Sequence, residues 1–383
     1  MPTDTTSNLY LCCDCGGSKT AVAIADSSGT VIAHAFGGPS NFAYLGLENF
    51  VAEVKITVER ALATIPALSS EILPTLPSEI PLFAAAWLGI SGVDSPANVA
   101  VLAPVLSSLF SLPVGGTPLR LNICNDTHLL AAPLALHKDV HYAVGVIGGT
   151  GSITASFKQD AHGTLEGLAR TGGWGWILGD EGGGFHVGRE AVRHLLREYE
   201  FAILNGTPLD DAAPPSSKSL RAQVLQVFGV STAPELLALI HDPDPEFSAS
   251  VNGTDTALGH RLIAREKRLS QLSPYVFSAA FEANDALALA VLRSTADALA
   301  EQVATLLRPD SESESENSPR LAVPASDAVV CFGGSLVGVE KYRDMVLDAL
   351  RKRGHVFKYV EVIEDAAVSG VKALFSQFSR RAV

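Results

Sequence analysis

One Gly-rich pattern occurs twice in this chain, and this repeat is the feature that most restricts the possible folds. The first copy, "LYLCCDCGGSKTAVAIADSSGT", covers residues 9–30, and the second, "YAVGVIGGTGSITASFKQDAHGT", covers residues 142–164. Gly151 follows Gly17 by 134 residues, and Gly163 follows Gly29 by the same number. Because two Gly-rich hairpins with matching internal spacing seldom arise by chance, the repeat predicts two units of related structure.

Each copy is typical of three strands rather than of a strand followed by a helix. An apolar run leads into a glycine tip, a second short run ends at a polar turn, and a third run follows. A P-loop would need a Gly before the Lys and a helix after it, whereas Ser18 precedes Lys19. The pattern predicts a three-stranded meander whose tip holds an anion through backbone N–H groups, with an ordinary hairpin turn as the alternative.

Strands and helices alternate after each meander. The segments "LFAAAWLGISGVD" and "LRLNICND" each read as a buried strand ending at a turn, and "THLLAAPLALH" reads as the helix that follows. Helical patterns also cover 48–63 and 273–307, and "DAVVCFGGSLVG" predicts a further strand with a glycine turn. Strands followed by helices imply parallel pairing, and 383 residues are enough for two α/β domains.

Composition excludes several classes of partner. The net charge of −13 disfavours nucleic acid and anionic membrane surfaces. The N-terminus lacks the pattern of a signal peptide, and no apolar run reaches the roughly 18 residues that a membrane span needs. The five cysteines are an odd number without zinc spacing, and the histidines show no metal spacing, so we expect reduced thiols and a cytoplasmic protein.

The segment "GGWGWILGDEGGGFHVG", residues 172–188, carries a more specific resemblance. It is similar to the signature of N-acetylglucosamine kinases and of the related dehydratase-activator ATPases, in the BadF/BadG/BcrA/BcrD ATPase family. The segments "PSNFAYLG", "LGISGVD", "ICND" and "IGGTGS" occur in that family's order. The resemblance covers most of the chain, except a Pro-rich insertion at 65–82, the 203–270 region and an acidic serine segment.

The resemblance implies a fold of the actin-like sugar kinase and Hsp70 superfamily. We expect an α/β protein with two actin-like (ribonuclease H-like) domains, each opening with a three-stranded meander, and an active site in the cleft between them. Residues 1–137 would form the sugar and Mg²⁺/phosphate side and residues 138–383 the nucleotide side, with a disordered linker at 308–326. We expect the hinge between the two domains near 137–141, and a second connection between them through a later helix. We also expect a homodimer.

The resemblance also assigns ATP and Mg²⁺ to three glycine turns and one carboxylate. Glycines let the backbone approach phosphate without a Cβ clash, and one carboxylate suffices for Mg²⁺, which keeps several waters. The Mg²⁺ residue would be Asp14, acting through water. The residues expected to bind ATP are Gly16, Gly17, Ser18, Lys19, Gly149, Thr150, Gly151, Gly333, Gly334 and Ser335.

A second group is expected to hold the sugar. Asp126 is the candidate general base, although an Asp where a strand gives way to a helix is also a common N-cap. Trp174 would either stack on the sugar or fill the core. The residues expected to bind the sugar are Asn41, Ser91, Gly92, Asp126, Gly173, Trp174, Gly175 and Asp180.

These residues predict ATP-dependent phosphorylation of N-acetyl-D-glucosamine at its 6-hydroxyl. The alternatives are a kinase of glucosamine or N-acetylmuramic acid, a dehydratase-activator ATPase with an iron–sulfur cluster, and a catalytically silent sugar sensor. An activator needs cysteines at a dimer face, where Cys124 and Cys331 are not expected, because both lie in strand patterns. The Cys-rich zinc loop of repressor-related sugar kinases does not occur in the sequence.

Overall fold

The structure, a computed structural model, describes residues 9–66, 75–78, 81–116, 119–160, 163–207, 218–245, 263–309 and 321–379. Much of the Pro-rich insertion and residues 310–320 of the expected linker lie outside these ranges. The described residues form two five-stranded mixed sheets and a two-stranded pair.

The first sheet contains the first meander and two strands parallel to its first strand. Strands β1 (Leu9–Cys15), β2 (Thr20–Ala25) and β3 (Val31–Gly37) pair antiparallel in sequence order. Strands β4 (Phe83–Ile90) and β5 (Leu121–Cys124) then add in parallel, giving the order β3-β2-β1-β4-β5. The carboxyl ends of β1, β4 and β5 therefore lie at one edge of this sheet.

The second sheet repeats this topology. The remaining described strands are β6 (Tyr142–Gly148), β7 (Ser152–Gln159), β8 (Leu165–Gly172), β9 (Leu307–Arg308), β10 (Val323–Pro324), β11 (Ala328–Gly333) and β12 (Tyr359–Ile363). The second meander supplies three antiparallel strands, and two later strands add in parallel, in the order β12-β11-β6-β7-β8. The carboxyl ends of β6, β11 and β12 therefore lie at one edge of this sheet.

Helices pack against both sheets. The helices of the described ranges are α1 (Phe42–Leu62), α2 (Pro96–Phe110), α3 (Thr127–Leu130), α4 (Gly184–Asn205), α5 (Leu220–Phe228), α6 (Glu235–His241), α7 (Arg265–Ser270), α8 (Ser273–Phe281), α9 (Ala286–Ala304), α10 (Glu340–Lys352) and α11 (Ala366–Ser379). Helices α1 and α2 cover one face of the first sheet, while α4, α9 and α10 share a core with one face of the second.

The chain passes between the two units twice. The first passage is the 137–141 segment, where Nε2 of His137 lies 2.9 Å from Oε1 of Glu361 on β12. The second passage joins β12 to α11. Helix α11 packs against the first sheet, where a Cβ added to Gly370 would lie 2.4 Å from Sγ of Cys12. Helix α11 therefore lies with the first unit, although it follows the expected boundary at 137.

Two local expectations differ from the structure. The helix expected at 127–137 is short: α3 ends at Leu130, and a 3₁₀ helix follows over Ala132–Leu136. Pro133 accounts for the break, because proline has no N–H to donate and its ring clashes with the preceding turn. At both ends of the expected linker the chain is structured, since β9 pairs in parallel with β10.

Within the described ranges, no single helix is long and apolar enough to cross a membrane. Two consecutive helical segments, Arg265–Phe281 and Ala286–Ala304, are long and apolar enough when taken together, but the chain bends by 119° between them.

Candidate active site

The turns after β3 and β4 bring three of the expected sugar residues together. Asn41 caps α1, with its Oδ1 accepting from the Tyr44 N–H at 3.3 Å, and its Nδ2 donates to Oγ of Ser91 at 3.0 Å. Gly92 has φ +85°, and a Cβ there would lie 2.8 Å from Oδ1 of Asn41. Only glycine fits this position, so Asn41, Ser91 and Gly92 form one tightly packed wall.

Asp126 follows β5 at the same edge of the sheet. It stands in the N-cap position of α3, but its side chain makes no capping hydrogen bond, so the N-cap alternative does not account for it. Burial raises the pKa of this carboxyl, and the nearby negative charge of Asp94 raises it further. Hydrogen bonds from the Thr127 backbone and from Ser91 partly offset that rise in pKa. A buried carboxylate with a raised pKa is suited to accept a proton.

Asp14 lies near the end of β1 and shares this environment. Burial raises its pKa to about 6, and the negative charges of Asp126 and Asp365 add to the rise, while Lys19 lowers it. Asp365 was not expected in the site. It follows β12 and caps α11 by accepting from the Val368 N–H at 2.8 Å. Carboxylates that are far apart in the sequence therefore lie near Asp14 with little compensating positive charge.

The first glycine tip presents an exposed backbone. The Gly16 N–H donates to the Lys19 carbonyl at 3.0 Å, which closes the turn, and Ser40 N–H donates to the Gly16 carbonyl at 2.9 Å. Gly17, Ser18 and Lys19 are exposed. The Lys19 ammonium lies 5.0 Å from the centre of the Phe36 ring. The tip therefore leaves its amides and one cation accessible to an anion.

The second tip is held by Asp180, which was expected in the sugar pocket. Oδ1 of Asp180 accepts from the Ser152 N–H at 3.2 Å, and a Cβ at Gly151 would lie 2.6 Å from the same oxygen. Asp180 has φ +62°, a left-handed conformation that is uncommon for a non-glycine residue. The structure thus places Asp180 on the 149–151 tip, where it positions the backbone.

A buried clamp behind this tip was also not expected from the sequence. The Gly182 N–H donates to Nδ1 of His186 at 2.8 Å, and Tyr342 Oη donates to the Gly182 carbonyl at 3.0 Å. Burial lowers the pKa of His186, although the carboxylates of Glu181 and Glu190, 2.9 and 3.7 Å from its ring nitrogens, oppose that change. A neutral His186 can accept the Gly182 hydrogen bond, so the N–H and the carbonyl of Gly182 both have a buried partner.

The two tryptophans of the 172–188 segment differ. Trp174 is 69 % exposed and lies between Gly173 and Gly175, whose φ values are +69° and +77°. Trp176 packs edge-on against Phe185, with 5.3 Å between ring centres. Trp174 therefore does not fill the core, and its ring is accessible to a ligand.

The third turn lies beside the second tip. Gly334 has φ +103°, and a Cβ there would lie 2.7 Å from the Gly148 carbonyl oxygen. The Leu336 N–H donates to that same oxygen at 2.9 Å. Gly333 and Ser335 flank this contact, so the end of β11 and the tip after β6 form one surface.

Two meander-led sheets of the same topology, each with a glycine turn after its first strand, are typical of the actin-like fold class. The profile of the BadF/BadG/BcrA/BcrD ATPase family matches residues 11–372, and the chain belongs to this family.

Curated relatives carry kinase names. An N-acetylmuramic acid/N-acetylglucosamine kinase of Clostridium acetobutylicum is 30 % identical over 203 residues, which is 51 % of this chain and 58 % of that protein. This chain thus spans a little over half of that relative's length. An N-acetyl-D-glucosamine kinase of Dictyostelium discoideum is 23 % identical over 304 residues, 78 % of this chain and 79 % of the relative.

Solved structures confirm the fold. Proposed N-acetylglucosamine kinases from Chromobacterium violaceum and Porphyromonas gingivalis are each 20 % identical, with TM-scores of 0.54 and 0.55. The first comparison covers 97 % of this chain and 99 % of the other chain, and the second covers 98 % and 100 %. The expectation of two actin-like domains is therefore confirmed.

Proposed function

We propose that the protein is an ATP-dependent kinase that phosphorylates N-acetyl-D-glucosamine at the 6-hydroxyl. The observation that carries this proposal is the buried, uncapped carboxylate of Asp126, hydrogen-bonded to Ser91, which in turn accepts from Asn41. The kinase names of the two curated relatives support the choice of sugar, and membership of an ATPase family supports ATP as the phosphate donor.

In the proposed reaction the chain mainly positions groups. Asp126 accepts the proton of the sugar 6-hydroxyl as that oxygen attacks the γ-phosphorus of ATP, with Asn41 and Ser91 holding the ring. The exposed amides of the 16–19 and 149–151 turns bind phosphate oxygens, and the 333–335 turn lies against the nucleotide. These assignments place the phosphates between the two glycine tips, where the two sheets face each other.

The residues near Asp14 fit Mg²⁺, which this fold family implies. Asp14 has a pKa raised to about 6 because it is buried beside other carboxylates, and a bound cation would relieve that repulsion. Within the described part of the chain, no group of three or more His, Cys, Asp or Glu side chains could hold a metal by itself. Asp14 would thus hold Mg²⁺ together with water and phosphate oxygens, and the ion would neutralise phosphate charge.

The activator-type ATPase is the second candidate and is less well supported. Such a protein presents cysteines for an iron–sulfur cluster at a subunit face. Here all five cysteines are free, and four of them are fully buried. Burial also raises the pKa of Cys124 to about 12, which disfavours the thiolate that a cluster needs. The free thiols favour a reducing compartment, so we propose a cytoplasmic location and, as in the sequence-based expectation, a homodimer.

A sugar panel tests the proposal. ADP release is measured with N-acetylglucosamine, N-acetylmuramic acid, glucosamine and glucose, and NMR then locates the phosphate on the product. Asp126→Asn keeps the shape of the side chain but removes the base, so kcat should fall roughly 10²–10⁴-fold while sugar binding persists. Near wild-type turnover by this variant would contradict the assignment of the base, and ATP hydrolysis that needs no sugar would favour the activator.

A further inference from the structure

Residues 174–178, which we name the apolar loop, carry three large apolar side chains that are exposed. Ile177 is 73 % exposed and Leu178 is 75 % exposed, close to the value for Trp174. The Gly175 carbonyl accepts from the Leu178 N–H at 3.2 Å, so a backbone hydrogen bond closes the loop. Single exposed apolar residues are common, but a cluster of them marks a contact surface. The apolar loop therefore presents a surface that another group can cover.

An exposed aromatic side chain occupies a corresponding place in the first unit. Tyr44 is 87 % exposed and lies in the first turn of α1, next to the sugar wall formed by Asn41. The backbone of α1 leaves the helical conformation at Gly46, with φ +69° and ψ 173°. A Cβ at Gly46 would meet no atom within 4 Å. The turn that carries Tyr44 is thus set off from the rest of α1 and stands in open space.

The apolar loop and the Tyr44 turn have equivalent positions in the two units. Each follows the third strand of its meander, the loop after β8 and the turn after β3. Each is also attached to the glycine tip of its own unit. Asp180, just after the loop, accepts from the Ser152 N–H at the second tip, and Ser40, just before the turn, donates its N–H to the Gly16 carbonyl of the first tip. Because the proposed function places both tips on one phosphate chain, the loop and Tyr44 lie on opposite sides of the same cleft.

We propose that Tyr44 and the apolar loop close on each other over the bound sugar and form an apolar seal that excludes water. Closure buries the Tyr44 ring against Ile177 and Leu178, so apolar surface that is in water in the open cleft is removed from water. Without the seal, water attacks the γ-phosphorus in place of the sugar hydroxyl, and ADP and inorganic phosphate are released. The inference rests on the proposed function, since the seal encloses a sugar and ATP.

Acrylamide quenching of tryptophan fluorescence measures the closure of the seal. Trp174 dominates this quenching, because Trp87 is buried and Trp176 is half-buried. With saturating N-acetylglucosamine and a non-hydrolysable ATP analogue, the quenching constant of the wild type should fall roughly twofold, because closure covers the exposed ring. Tyr44→Ser and Leu178→Ser should lose most of this protection, whereas Tyr44→Phe, which keeps the ring, should retain it. Trp174→Phe identifies the signal.

ADP released in excess of sugar phosphate is the second readout, because it counts the attack by water. Tyr44→Ser and Leu178→Ser should each raise this excess severalfold. The double variant should exceed neither single variant, since both changes remove the same contact. The matched control is Phe201→Ser: Phe201 is 62 % exposed on α4, and at 1.5 Å per residue it lies roughly 25 Å along the helix from the second tip, so the excess should not change.

The outcomes separate the seal from the kinase. Equal protection of Trp174 in the wild type and in Tyr44→Ser at saturating sugar overturns the seal, because the sugar alone then shields the ring. Additive excesses of ADP in the double variant also overturn it, as does an equal excess in Phe201→Ser. Phosphorylation of N-acetylglucosamine with unchanged quenching overturns the seal and leaves the kinase. Protection by this sugar that depends on Tyr44, in a protein that phosphorylates no amino sugar, supports the closure and overturns the kinase.

Discussion

Replacement of Asp14 by Asn should stabilise the protein while abolishing its activity. In the folded chain burial near Asp126 and Asp365 raises the pKa of the Asp14 carboxyl to about 6, from an ordinary value of 3.8. The folded state therefore binds this proton more tightly than the unfolded state. Ionisation of Asp14 thus destabilises the fold, fully above about pH 6 and not at all well below pH 4.

The magnitude follows from the difference in pKa. A change of about two units, at about 1.4 kcal/mol per unit, gives an upper limit of about 3 kcal/mol at pH 7.5. Asp14 is half-buried, and solvent screening reduces the effect, so we expect Asp14→Asn to raise the free energy of unfolding by about 1–2 kcal/mol. The gain should shrink as pH falls from 6 to 4, because the wild-type carboxyl becomes protonated.

Urea unfolding followed by tryptophan fluorescence measures this gain at pH 7.5 and at pH 4, in buffers without divalent cations. The matched control is Asp26→Asn in an exposed turn, where hydrogen bonds from Ser28 lower the carboxyl pKa, so its replacement should give no gain. The reasoning is refuted if Asp14→Asn is no more stable than the wild type at pH 7.5. A gain of equal size at pH 4 would also refute it, since charge would then not be the cause.

Two further predictions concern the second tip. Gly151→Ala places a Cβ against Asp180 and should lower the free energy of unfolding, measured in urea, by about 1–3 kcal/mol. Gly149→Ala should cost less, because a Cβ there would meet no atom within 4 Å. Similar losses in the two variants would contradict the packing argument. His186→Ala leaves the Gly182 N–H without its acceptor and should cost about 1–3 kcal/mol. His186→Gln should restore part of that loss. Because burial lowers the pKa of His186 in the folded state, the wild type should lose stability as the pH falls below about 6.5, and the Gln variant should lose less. Identical pH profiles of the two proteins would contradict this.

The sequence predicted the elements that depend on local pattern. The repeated meander was visible because glycine tips and polar turns interrupt short apolar runs at fixed spacing. The position of Asp126 was also predictable, because it directly follows a buried strand, and the ends of parallel strands meet at one sheet edge. Asn41 and Ser91 lie 50 residues apart, yet both follow strands of the same sheet, and the structure joins them by a hydrogen bond.

Other features depend on contacts that no local pattern reports. Asp365 caps α11, which is a contact within one local segment. Its effect on the pKa of Asp14 depends on the packing of α11 against the first sheet, which the sequence of that segment does not report. His186 and Tyr342 lie 156 residues apart and bind the N–H and the carbonyl of the same residue, Gly182, so neither position alone indicates the clamp. The contact of Asp180 with the 149–151 tip was not predicted, because the motif indicates the neighbourhood of Asp180 but not the direction of its side chain; its assignment to the sugar stays a prediction.

The position of Asp365 links the second chain crossing to the proposed active site. Asp365 follows β12 of the second unit, caps a helix that packs on the first unit, and lies 2.8 Å from Nε2 of His34 on β3. Any rotation of one unit against the other must bend the chain at 137–141 and just before α11. Both contacts of Asp365 are with the first unit, which also carries Asp14, so a bend of the chain just before α11 leaves these two carboxylates near each other. We therefore expect the charge of Asp365 to raise the pKa of Asp14 at any angle between the units, and to favour a cation beside Asp14 by the same amount.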